Sequence, residues 1–290
     1  MKIAVFGCTG MLGGSLLESL ERAGFEPVPV PEEQVDIRDA PTVDDAVSEI
    51  RPAAVINAAA YTDVDGCEEN QHLAFDVNAV GAGNIARSAD SAGAACLYIS
   101  TDYVFDGIAR KPRLETDQPN PQGIYAMSKR EGERAVAGEC KRWFVIRTSW
   151  LFGEGGKNFV DTMVKLAAER ETLTVVNDQT GSPTYTVHLA GGISRVLKMY
   201  LQQGFGEHGI FHLTGAGTCT WYDFAKRIIA ARPGIVREIL PVSTSEYIQS
   251  MNRVIAPRPC YSVLSNEKIK MKYGVALPHW EDAMIEYLSL

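Results

Sequence analysis

Residues 2–13 read KIAVFGCTGMLG, and this stretch decides the fold. The run from Lys2 to Phe6 predicts a short apolar strand, and a helical pattern of leucines follows at positions 16, 17 and 20. Between them lies a turn with three glycines, Gly7, Gly10 and Gly13. A strand, a glycine turn and a helix in this order are typical of a site where phosphate groups lie against a helix N-terminus. A tight strand-to-helix turn without a ligand is the alternative interpretation.

Each of the three glycines has its own steric reason in such a turn. Gly7 would allow the tight bend, Gly10 would let the backbone approach a pyrophosphate, and Gly13 would let the helix pack closely on the strand. A glycine triplet alone is weak evidence, but its position between a strand and a helix strengthens it. The spacing is GxxGxxG rather than GxGxxG, and this variant resembles the short-chain dehydrogenase/reductase superfamily.

Strands and helices alternate along the first 150 residues, which predicts an α/β fold with a doubly wound parallel sheet of the Rossmann type. The further elements predicted there are strands Phe25–Val30, Ala53–Ile56, Leu97–Ile99 and Trp143–Arg147, and helices 42–50, 73–92 and 125–139. The looser pattern that follows predicts strands Leu173–Val176 and Gly209–Leu213, and helices Asn158–Arg170, Thr186–Leu201, Trp221–Ala231 and 280–289. We expect a dinucleotide-binding domain of residues 1–150 plus about 182–203, and a smaller, discontinuous C-terminal substrate lobe of about 151–181 and 204–290.

The reactive side chains are predicted to lie within residues 97–133. An apolar run at the start of this stretch predicts a buried strand that delivers Thr101 and Asp102 at its carboxyl end. Tyr125 and Lys129 stand four residues apart in a predicted helix, so both side chains lie on one face. A hydroxyl, a phenol and an ammonium that converge beside a dinucleotide site predict a carbonyl reductase.

The end of the second predicted strand bears on the choice between NADH and NADPH. An acidic residue there accepts the 2′-hydroxyl of the adenosine ribose, whereas an arginine accepts a 2′-phosphate. The chain has Pro31-Glu32-Glu33 and no arginine at this point, which leans slightly toward NADH. Further on, Asp36 and Ile37 either contact the adenine or form a turn before the next helix, with Asp39 or Thr42 as its N-cap.

Composition and charge argue against several classes of function. The 290 residues carry a net charge of −8 and a pI near 5.2, which disfavours non-specific binding to nucleic acid or to an anionic membrane. No apolar run approaches the ~18 residues of a membrane span, and the first residues predict a strand rather than a signal peptide. The six cysteines and five histidines show no metal-ligand spacing. We expect a cytoplasmic protein, and the sequence identifies no metal site.

Several longer strings together resemble the dTDP-4-dehydrorhamnose reductase family of extended short-chain dehydrogenases/reductases. They are GCTGMLG, VINAAAYTDVD, YISTDYVFDG, YAMSKREGE, RTSWLFG, NFVDTMVKLAAERETLTVVNDQTGSPTY and RPCYSVL. The resemblance extends from residue 1 to about residue 265, and STDYVFDG, RTSW and DQxGSPTY are more specific than the glycine turn. The second strand departs from the family pattern, because it is rich in proline and lacks the basic residue that is common in relatives.

The resemblance implies the NAD(P)H-dependent reduction of the 4-keto group of dTDP-4-dehydro-β-L-rhamnose to dTDP-β-L-rhamnose. It implies that Tyr125 protonates the C4 oxygen and that Thr101 orients the keto group. Lys129 would lower the pKa of Tyr125 and hold the nicotinamide ribose. Small residues after the third strand leave room for a ligand. The implied cofactor contacts are Gly7, Gly10, Met11, Leu12, Gly13, Asp36, Ile37, Ala58, Ala59, Ala60, Tyr61, Thr62, Tyr125 and Lys129.

The implied substrate contacts are Thr101, Asp102, Trp150 and Arg258. Trp150 is either a core aromatic or a ring that stacks on the sugar and closes the site. Arg258 is either a partner of the substrate diphosphate or a surface arginine. Asn78, amid apolar positions of a predicted helix, is either a local hydrogen-bonding residue or, as in this superfamily, the residue that organises a water beside the catalytic lysine.

Four other functions stay open at this point. A dehydratase is disfavoured, because Tyr103 follows Asp102 where dehydratases of the superfamily carry a second carboxylate. An epimerase, a reductase of another nucleotide-sugar 4-ketone, and a non-catalytic regulatory subunit such as that of methionine adenosyltransferase are not separated by sequence. Relatives often form homodimers, some through magnesium, but no carboxylate cluster in the sequence identifies that metal.

Overall fold

The computed structural model describes residues 1–204, 206–251 and 255–290. Its strands are β1 (Lys2–Phe6), β2 (Glu26–Val30), β3 (Ala54–Asn57), β4 (Ala95–Thr101), β5 (Trp143–Thr148), β6 (Leu151–Phe152), β7 (Thr172–Val176), β8 (Thr180–Gly181), β9 (Thr184–Tyr185), β10 (Gly209–His212), β11 (Cys219–Thr220) and β12 (Glu238–Val242). Its α-helices are α1 (Met11–Arg22), α2 (Ala40–Ile50), α3 (Val64–Glu69), α4 (Gln71–Phe75), α5 (Ala82–Ser91), α6 (Ile124–Glu139), α7 (Phe159–Glu169), α8 (Thr186–Gln203), α9 (Trp221–Ala231), α10 (Thr244–Ser250), α11 (Glu267–Tyr273) and α12 (Trp280–Leu288).

Within the described residues, six parallel strands form the main sheet in the order β10-β5-β4-β3-β1-β2. The chain proceeds from β1 to one edge through β2, and then from β3 to the other edge. Ligands of open α/β sheets bind where the strand order reverses, beyond the carboxyl ends of the strands. The predicted doubly wound sheet is therefore confirmed, and its crevice lies above β1 and β3.

Helices cover both faces of the sheet, as a parallel sheet requires. On one face, α1 and α8 bury an apolar stripe that includes Leu16, Leu20 and Ile193. On the other face, α2 and α5 contribute Val47 and Ile85 to a second apolar cluster. All five side chains are fully buried, so both layers are firmly packed on the strands that carry the site.

A third apolar cluster joins α7, α9 and α12 through Val160, Phe224 and Trp280. Strands β7 and β12 pair in parallel beside it as a separate two-stranded sheet. Strand β10, which the predicted division assigns to the substrate lobe, joins the main sheet instead. The predicted lobe also includes Phe205 and residues 252–254, which lie outside the described residues. The division of the chain into two lobes stays a prediction.

Some local structure differs from the prediction. The helix predicted over 73–92 is interrupted, because a π-helical turn at Asp76–Gly81 separates α4 from α5. The sequence pattern also does not predict β12, whose residues EILPV are half-buried or exposed and include a proline. The predicted helix Trp221–Ala231 is confirmed to the residue as α9. Among the described helices, none has the length and apolar composition of a bilayer span.

Candidate active site

The glycine turn has the steric features that a diphosphate site requires. Gly7 has a φ of +73°, and a Cβ on it would overlap the backbone of the loop after β3. A Cβ on Gly13 would overlap Gly7 and Cys8, so this glycine allows α1 to approach β1. Gly10 is the N-cap of α1, and no side chain caps it among the described residues. Its backbone therefore leaves the positive end of the helix open to an anion.

Two clefts meet above this turn and share Gly7, Gly10, Ala58 and Ala60. The Asp36 cleft is bounded by β2 and the loop before α2. The Tyr125 cleft, of about 480 Å³, extends from the turn to the end of β5 and is large enough for a small-molecule ligand. Between them, the two clefts are lined by all the predicted cofactor contacts, Gly7, Gly10, Met11, Leu12, Gly13, Asp36, Ile37, Ala58, Ala59, Ala60, Tyr61, Thr62, Tyr125 and Lys129.

The loop around Asp36 lines a cleft and also leads into α2, and contact of Asp36 and Ile37 with adenine stays a prediction. Asp36 lines the cleft, but its carboxylate also accepts hydrogen bonds from the Arg38 side chain, at 2.6 to 3.0 Å. These hydrogen bonds hold the pKa of Asp36 below its ordinary value. Asp39 is the N-cap residue of α2, but its side chain caps no backbone N–H, and Thr42 lies inside the helix. Arg38, which the sequence analysis did not select, thus lies at the Asp36 cleft.

We call the Asp36 cleft and the Tyr125 cleft together the groove. Asn78 connects the loop after β3, which lines the groove, to the helix that carries Tyr125. It lies in the π-helical turn and is fully buried. Its side chain accepts a hydrogen bond from the Tyr61 backbone N–H at 2.9 Å and donates to Ser128 Oγ at 3.0 Å. Ser128 in turn donates to the Tyr125 carbonyl oxygen at 2.9 Å. Asn78 is therefore a local hydrogen-bonding residue that ties the loop after β3 to α6.

The three predicted catalytic residues line the same cleft. Thr101 ends β4, and its hydroxyl donates to Asp102 Oδ1 at 3.1 Å. Tyr125 and Lys129 lie one turn apart on α6. Lys129 Nζ donates to the Ile99 carbonyl oxygen at 2.7 Å and lies over the neighbouring Tyr98 ring. The arrangement brings a hydroxyl, a phenol and an ammonium to one wall, as the helical spacing predicts.

Burial shifts the acid–base properties of these groups strongly. It raises the pKa of Tyr125, although the adjacent Thr101 hydroxyl has the opposite effect. It lowers the pKa of Lys129 to about 7, against the charge of Glu133, which raises it. It also raises the pKa of Asp102 to about 7. Two groups that titrate near neutrality beside a phenol are typical of general acid–base catalysis.

Two tryptophans, Trp150 and Trp221, also line the Tyr125 cleft. Trp150 has a φ of +48°, which is uncommon for a bulky side chain. Its indole stacks on Trp221, with ring centroids 3.5 Å apart and planes within 6°. Gly181 lies against the indole, where a Cβ would overlap it. Trp221 donates from its Nε1 to Gln179, which fixes the pair from the other side.

Arg258 does not line either cleft. Its guanidinium donates to Asp65 at 2.8 Å and to the Ala256 carbonyl oxygen at 3.0 Å. It also lies 6.0 Å from the ring of Tyr103, which does line the Tyr125 cleft. The structure therefore places Arg258 behind the cleft wall, and its contact with a substrate stays a prediction.

The sequence analysis does not select several residues that line the Tyr125 cleft, among them Lys157 and Trp221. Lys157 follows a loop with glycines at positions 153, 155 and 156, which is the only signal that the sequence gives for it. Trp221 begins α9 and gives no local signal. Within the described ranges, no three His, Cys, Asp or Glu side chains are grouped as metal ligands. An interface magnesium is therefore left without an assigned site.

The whole chain, residues 1–290, matches the family model described as RmlD substrate binding domain. The chain belongs to this family. The family resemblance that the sequence motifs indicate is thereby confirmed. A curated member, dTDP-4-dehydrorhamnose reductase of Burkholderia thailandensis, is 39% identical over 98% of this chain and 97% of its own length. The spore coat polysaccharide biosynthesis protein SpsK of Bacillus subtilis is 40% identical over 99% of this chain and 97% of its own.

A solved structure of a family member shows the same architecture. It is the dTDP-4-dehydrorhamnose reductase of Bacillus anthracis in complex with NADP, which is 37% identical with a TM-score of 0.92. The match covers 99% of this chain and 98% of that one. The glycine turn, the sheet crevice and the Tyr125 cleft of this chain therefore lie in a fold that holds a dinucleotide in a relative.

Proposed function

We propose that this chain is an NAD(P)H-dependent oxidoreductase that reduces the 4-keto group of dTDP-4-dehydro-β-L-rhamnose to give dTDP-β-L-rhamnose. The observation that carries the proposal is that Thr101, Tyr125 and Lys129 share one cleft, which is continuous with the glycine turn. Family relatives of full length that bear the name of this reductase support the choice of substrate.

The residues of the groove fit a dinucleotide. Gly7 and Gly13 keep the turn compact, and the uncapped start of α1 suits the diphosphate. Lys129 and Tyr125 would hold the nicotinamide ribose, because both line the cleft beside Thr101. A reduced nicotinamide supplies a hydride to the carbonyl carbon when it is bound there.

The chain's own contribution is to bind the keto oxygen and protonate it. The Thr101 hydroxyl, which donates to Asp102 in this structure, would turn to that oxygen, donate its hydrogen bond to it and orient it. The Tyr125 phenol would then give up its proton as the oxygen becomes a hydroxyl. Burial opposes this proton loss by raising the pKa of Tyr125. A protonated Lys129 on the same helix face would compensate, because a nearby cation stabilises the phenolate.

The substrate would occupy the cleft between α6 and the paired indoles. Trp150 would pack against the sugar ring, and Asp102 would contact it beside Thr101. Lys157 and, from behind Tyr103, Arg258 are the cations that we assign to the diphosphate. Arg258 would reach the substrate only if its ion pair with Asp65 rearranged.

The Asp36 cleft supports the use of both NADH and NADPH. Glu32, just after β2, suits the 2′-hydroxyl of NADH, as the sequence predicts. Arg38 lines the same cleft and supplies a cation for the 2′-phosphate of NADPH. The slight preference for NADH stays a proposal. It depends on the strength of the Arg38–Asp36 ion pair, which would have to open for Arg38 to bind a 2′-phosphate.

Reduction of another nucleotide-linked 4-keto sugar is the second candidate. It is favoured by the similarity to SpsK, whose name refers to a spore coat polysaccharide rather than to this sugar. An epimerase or a regulatory subunit would show no net oxidation of the cofactor. The predicted cytoplasmic location and homodimer are retained as proposals.

The test is to follow NADH and NADPH oxidation with dTDP-4-dehydro-β-L-rhamnose and with related nucleotide-linked 4-keto sugars. We expect turnover with the rhamnose precursor and a loss of about 10²- to 10³-fold in kcat for Thr101→Val, which removes one hydrogen bond to the keto oxygen. Faster turnover of a different keto sugar would show that this sugar, and not the rhamnose precursor, is the preferred substrate. A folded protein that binds cofactor but oxidises none with any of these sugars would contradict a reductase.

A further inference from the structure

Glu133 lies behind the Tyr125 cleft, one helical turn beyond Lys129 on α6, and it is only 2% exposed. Its carboxylate accepts four hydrogen bonds, each of 2.7 Å. They come from the Ser100 hydroxyl, from the Arg130 guanidinium and from Nε and Nη2 of Arg147. A carboxylate with this many charge-assisted partners is held in one orientation.

The donors belong to the elements that carry the reactive groups. Ser100 lies on β4 between Ile99, whose carbonyl oxygen binds Lys129, and Thr101. Arg147 lies on β5, directly before the segment that leads to Trp150. Glu133 therefore links the ends of two neighbouring strands to the helix that carries Tyr125 and Lys129.

Glu133 also supplies charge near a buried ammonium. The titratable groups around Lys129 are Tyr98 of β4, Asp102 after β4, and Tyr125 and Glu133 of α6. Two cations, Arg130 of α6 and Arg147 of β5, pair with Glu133. Burial raises the pKa values of the two tyrosines, and Asp102 titrates at about 7. Burial opposes ionisation of Glu133, but its partners, Arg147 first, bring its pKa below the ordinary value. Glu133 is thus the carboxylate of this group that stays charged at neutral pH.

We infer that Glu133 is a positioning residue for the proposed reaction. Its carboxylate fixes the ends of β4 and β5 against α6 and places a negative charge one helical turn from Lys129. Without that charge, burial alone would favour the neutral amine, which cannot stabilise a Tyr125 phenolate. The inference rests on the proposed function for its catalytic consequence, but the effect on Lys129 is a property of the protein itself.

The direct test is an NMR titration of Lys129 in protein labelled with ¹³C at the lysine Cε, with the signal assigned from Lys129→Met. We expect Glu133→Gln to lower the pKa of Lys129 by about one unit, because the negative charge one helical turn away, which raises that pKa, is removed. Glu131→Gln is the matched control, since Glu131 lies on the same helix but is half-exposed and pairs with Arg134. We expect no shift in that control. An unchanged pKa in folded Glu133→Gln would overturn the inference.

A second variant keeps the test decisive if Glu133→Gln does not fold. Glu133→Gln combined with Arg147→Met removes the buried pair together, and such replacements are commonly tolerated. We expect the pKa of Lys129 to fall by less than in Glu133→Gln, because Arg147, a cation on the far side of Glu133, is removed together with the carboxylate. An unchanged or higher value would overturn the inference.

Kinetics separate this inference from the proposed function. In the wild type, turnover tests the reaction itself, whereas the NMR titration needs neither substrate nor cofactor. In Glu133→Gln we expect kcat to fall more than KM rises, with the alkaline limb of the kcat–pH profile at lower pH. A lower kcat with an unmoved limb would mean a merely structural role and would contradict the inference.

Discussion

The two ends of the groove carry the same kind of ion pair in opposite surroundings. At the Asp36 cleft, Arg38 pairs with Asp36, and the two side chains are 44% and 43% exposed. Behind the Tyr125 cleft, Arg147 pairs with Glu133, and both are 1% exposed. An exposed pair contributes little to stability, whereas a buried pair that loses one partner leaves a costly unpaired charge. The comparison indicates that the end proposed to carry the chemistry is held more firmly than the end proposed to distinguish the two cofactors.

The largest effect is expected at the chemical end, from Tyr125→Phe. Loss of the phenolic proton donor should lower kcat by about 10²- to 10⁴-fold, the usual contribution of a general acid. The matched control is Tyr103→Phe, because that ring packs edge-on against Tyr125 with centroids 6.1 Å apart. Steady-state rates with the keto sugar give the answer. A comparable loss in both variants would show that Tyr125 is not the specific acid.

The next effect is a pH dependence of stability from Asp102. Its pKa is raised to about 7 in the folded protein, so the folded state retains a proton that the unfolded state has released. Wild-type stability should therefore lose a contribution as pH rises from about 4 to about 7, by at most about 4 kcal/mol. Asp102→Asn should lack this loss, as urea unfolding at several pH values would show. Asp45→Asn, at an exposed position of α2, is the control; a parallel profile for wild type and Asp102→Asn would contradict the prediction.

A smaller effect is expected at the stacked pair of Trp150 and Trp221 in the Tyr125 cleft. Gly181→Ala places a methyl group against the Trp150 indole and should displace it from Trp221. Overpacking of this size costs about 1–3 kcal/mol, and we expect kcat/KM for the keto sugar to fall by about tenfold or more while cofactor affinity is retained. Gly138→Ala is the control, because among the described residues the added methyl has no heavy atom within 4 Å beyond its chain neighbours and its own helix backbone. Unchanged kcat/KM in a folded variant would contradict a role of the indole pair in substrate binding.

The smallest effect is expected at the exposed pair. Arg38→Gln should raise the Kd of NADPH by less than about tenfold, since exposed charge pairs contribute about 0–1 kcal/mol, and it should leave the Kd of NADH nearly unchanged. Cofactor fluorescence titrations measure both values. Arg22→Gln is matched to it, because Arg22 forms an exposed pair with Glu18 on α1. An equal loss for both cofactors would show that Arg38 does not recognise the 2′-phosphate.

The sequence predicts the parts of the site that depend on short-range spacing. Tyr125 and Lys129 share a helix face because they stand four residues apart. The turn between β1 and α1 needs glycines for steric reasons that do not depend on the rest of the chain. The ends of parallel strands meet at one edge of the sheet, which explains why Ala58 to Thr62 and Thr101 were also found from sequence. These expectations depend on local geometry and on one topological rule.

The remaining features depend on contacts between distant segments. Trp221 reaches Trp150 only because α9 packs beside β6, and no local pattern indicates this. In the sequence, Glu133 looks like an ordinary carboxylate of a helix. Only the fold brings Ser100 of β4 and Arg147 of β5 into contact with it. Arg38 directly follows Asp36 and Ile37, which the sequence analysis considered as adenine contacts. The orientation of the Arg38 side chain depends on its hydrogen bonds to Asp36. Such pairings require the folded chain.

The most direct test of the central claim is isotope transfer from the cofactor to the sugar. The protein would be incubated with dTDP-4-dehydro-β-L-rhamnose and NADPH that carries deuterium at both positions of nicotinamide C4, and the product would be examined by NMR. The account predicts dTDP-β-L-rhamnose with deuterium at C4 of the sugar, and no such product from Tyr125→Phe on the same timescale. Deuterium at another carbon, or a product without deuterium, would contradict hydride transfer to the 4-keto group.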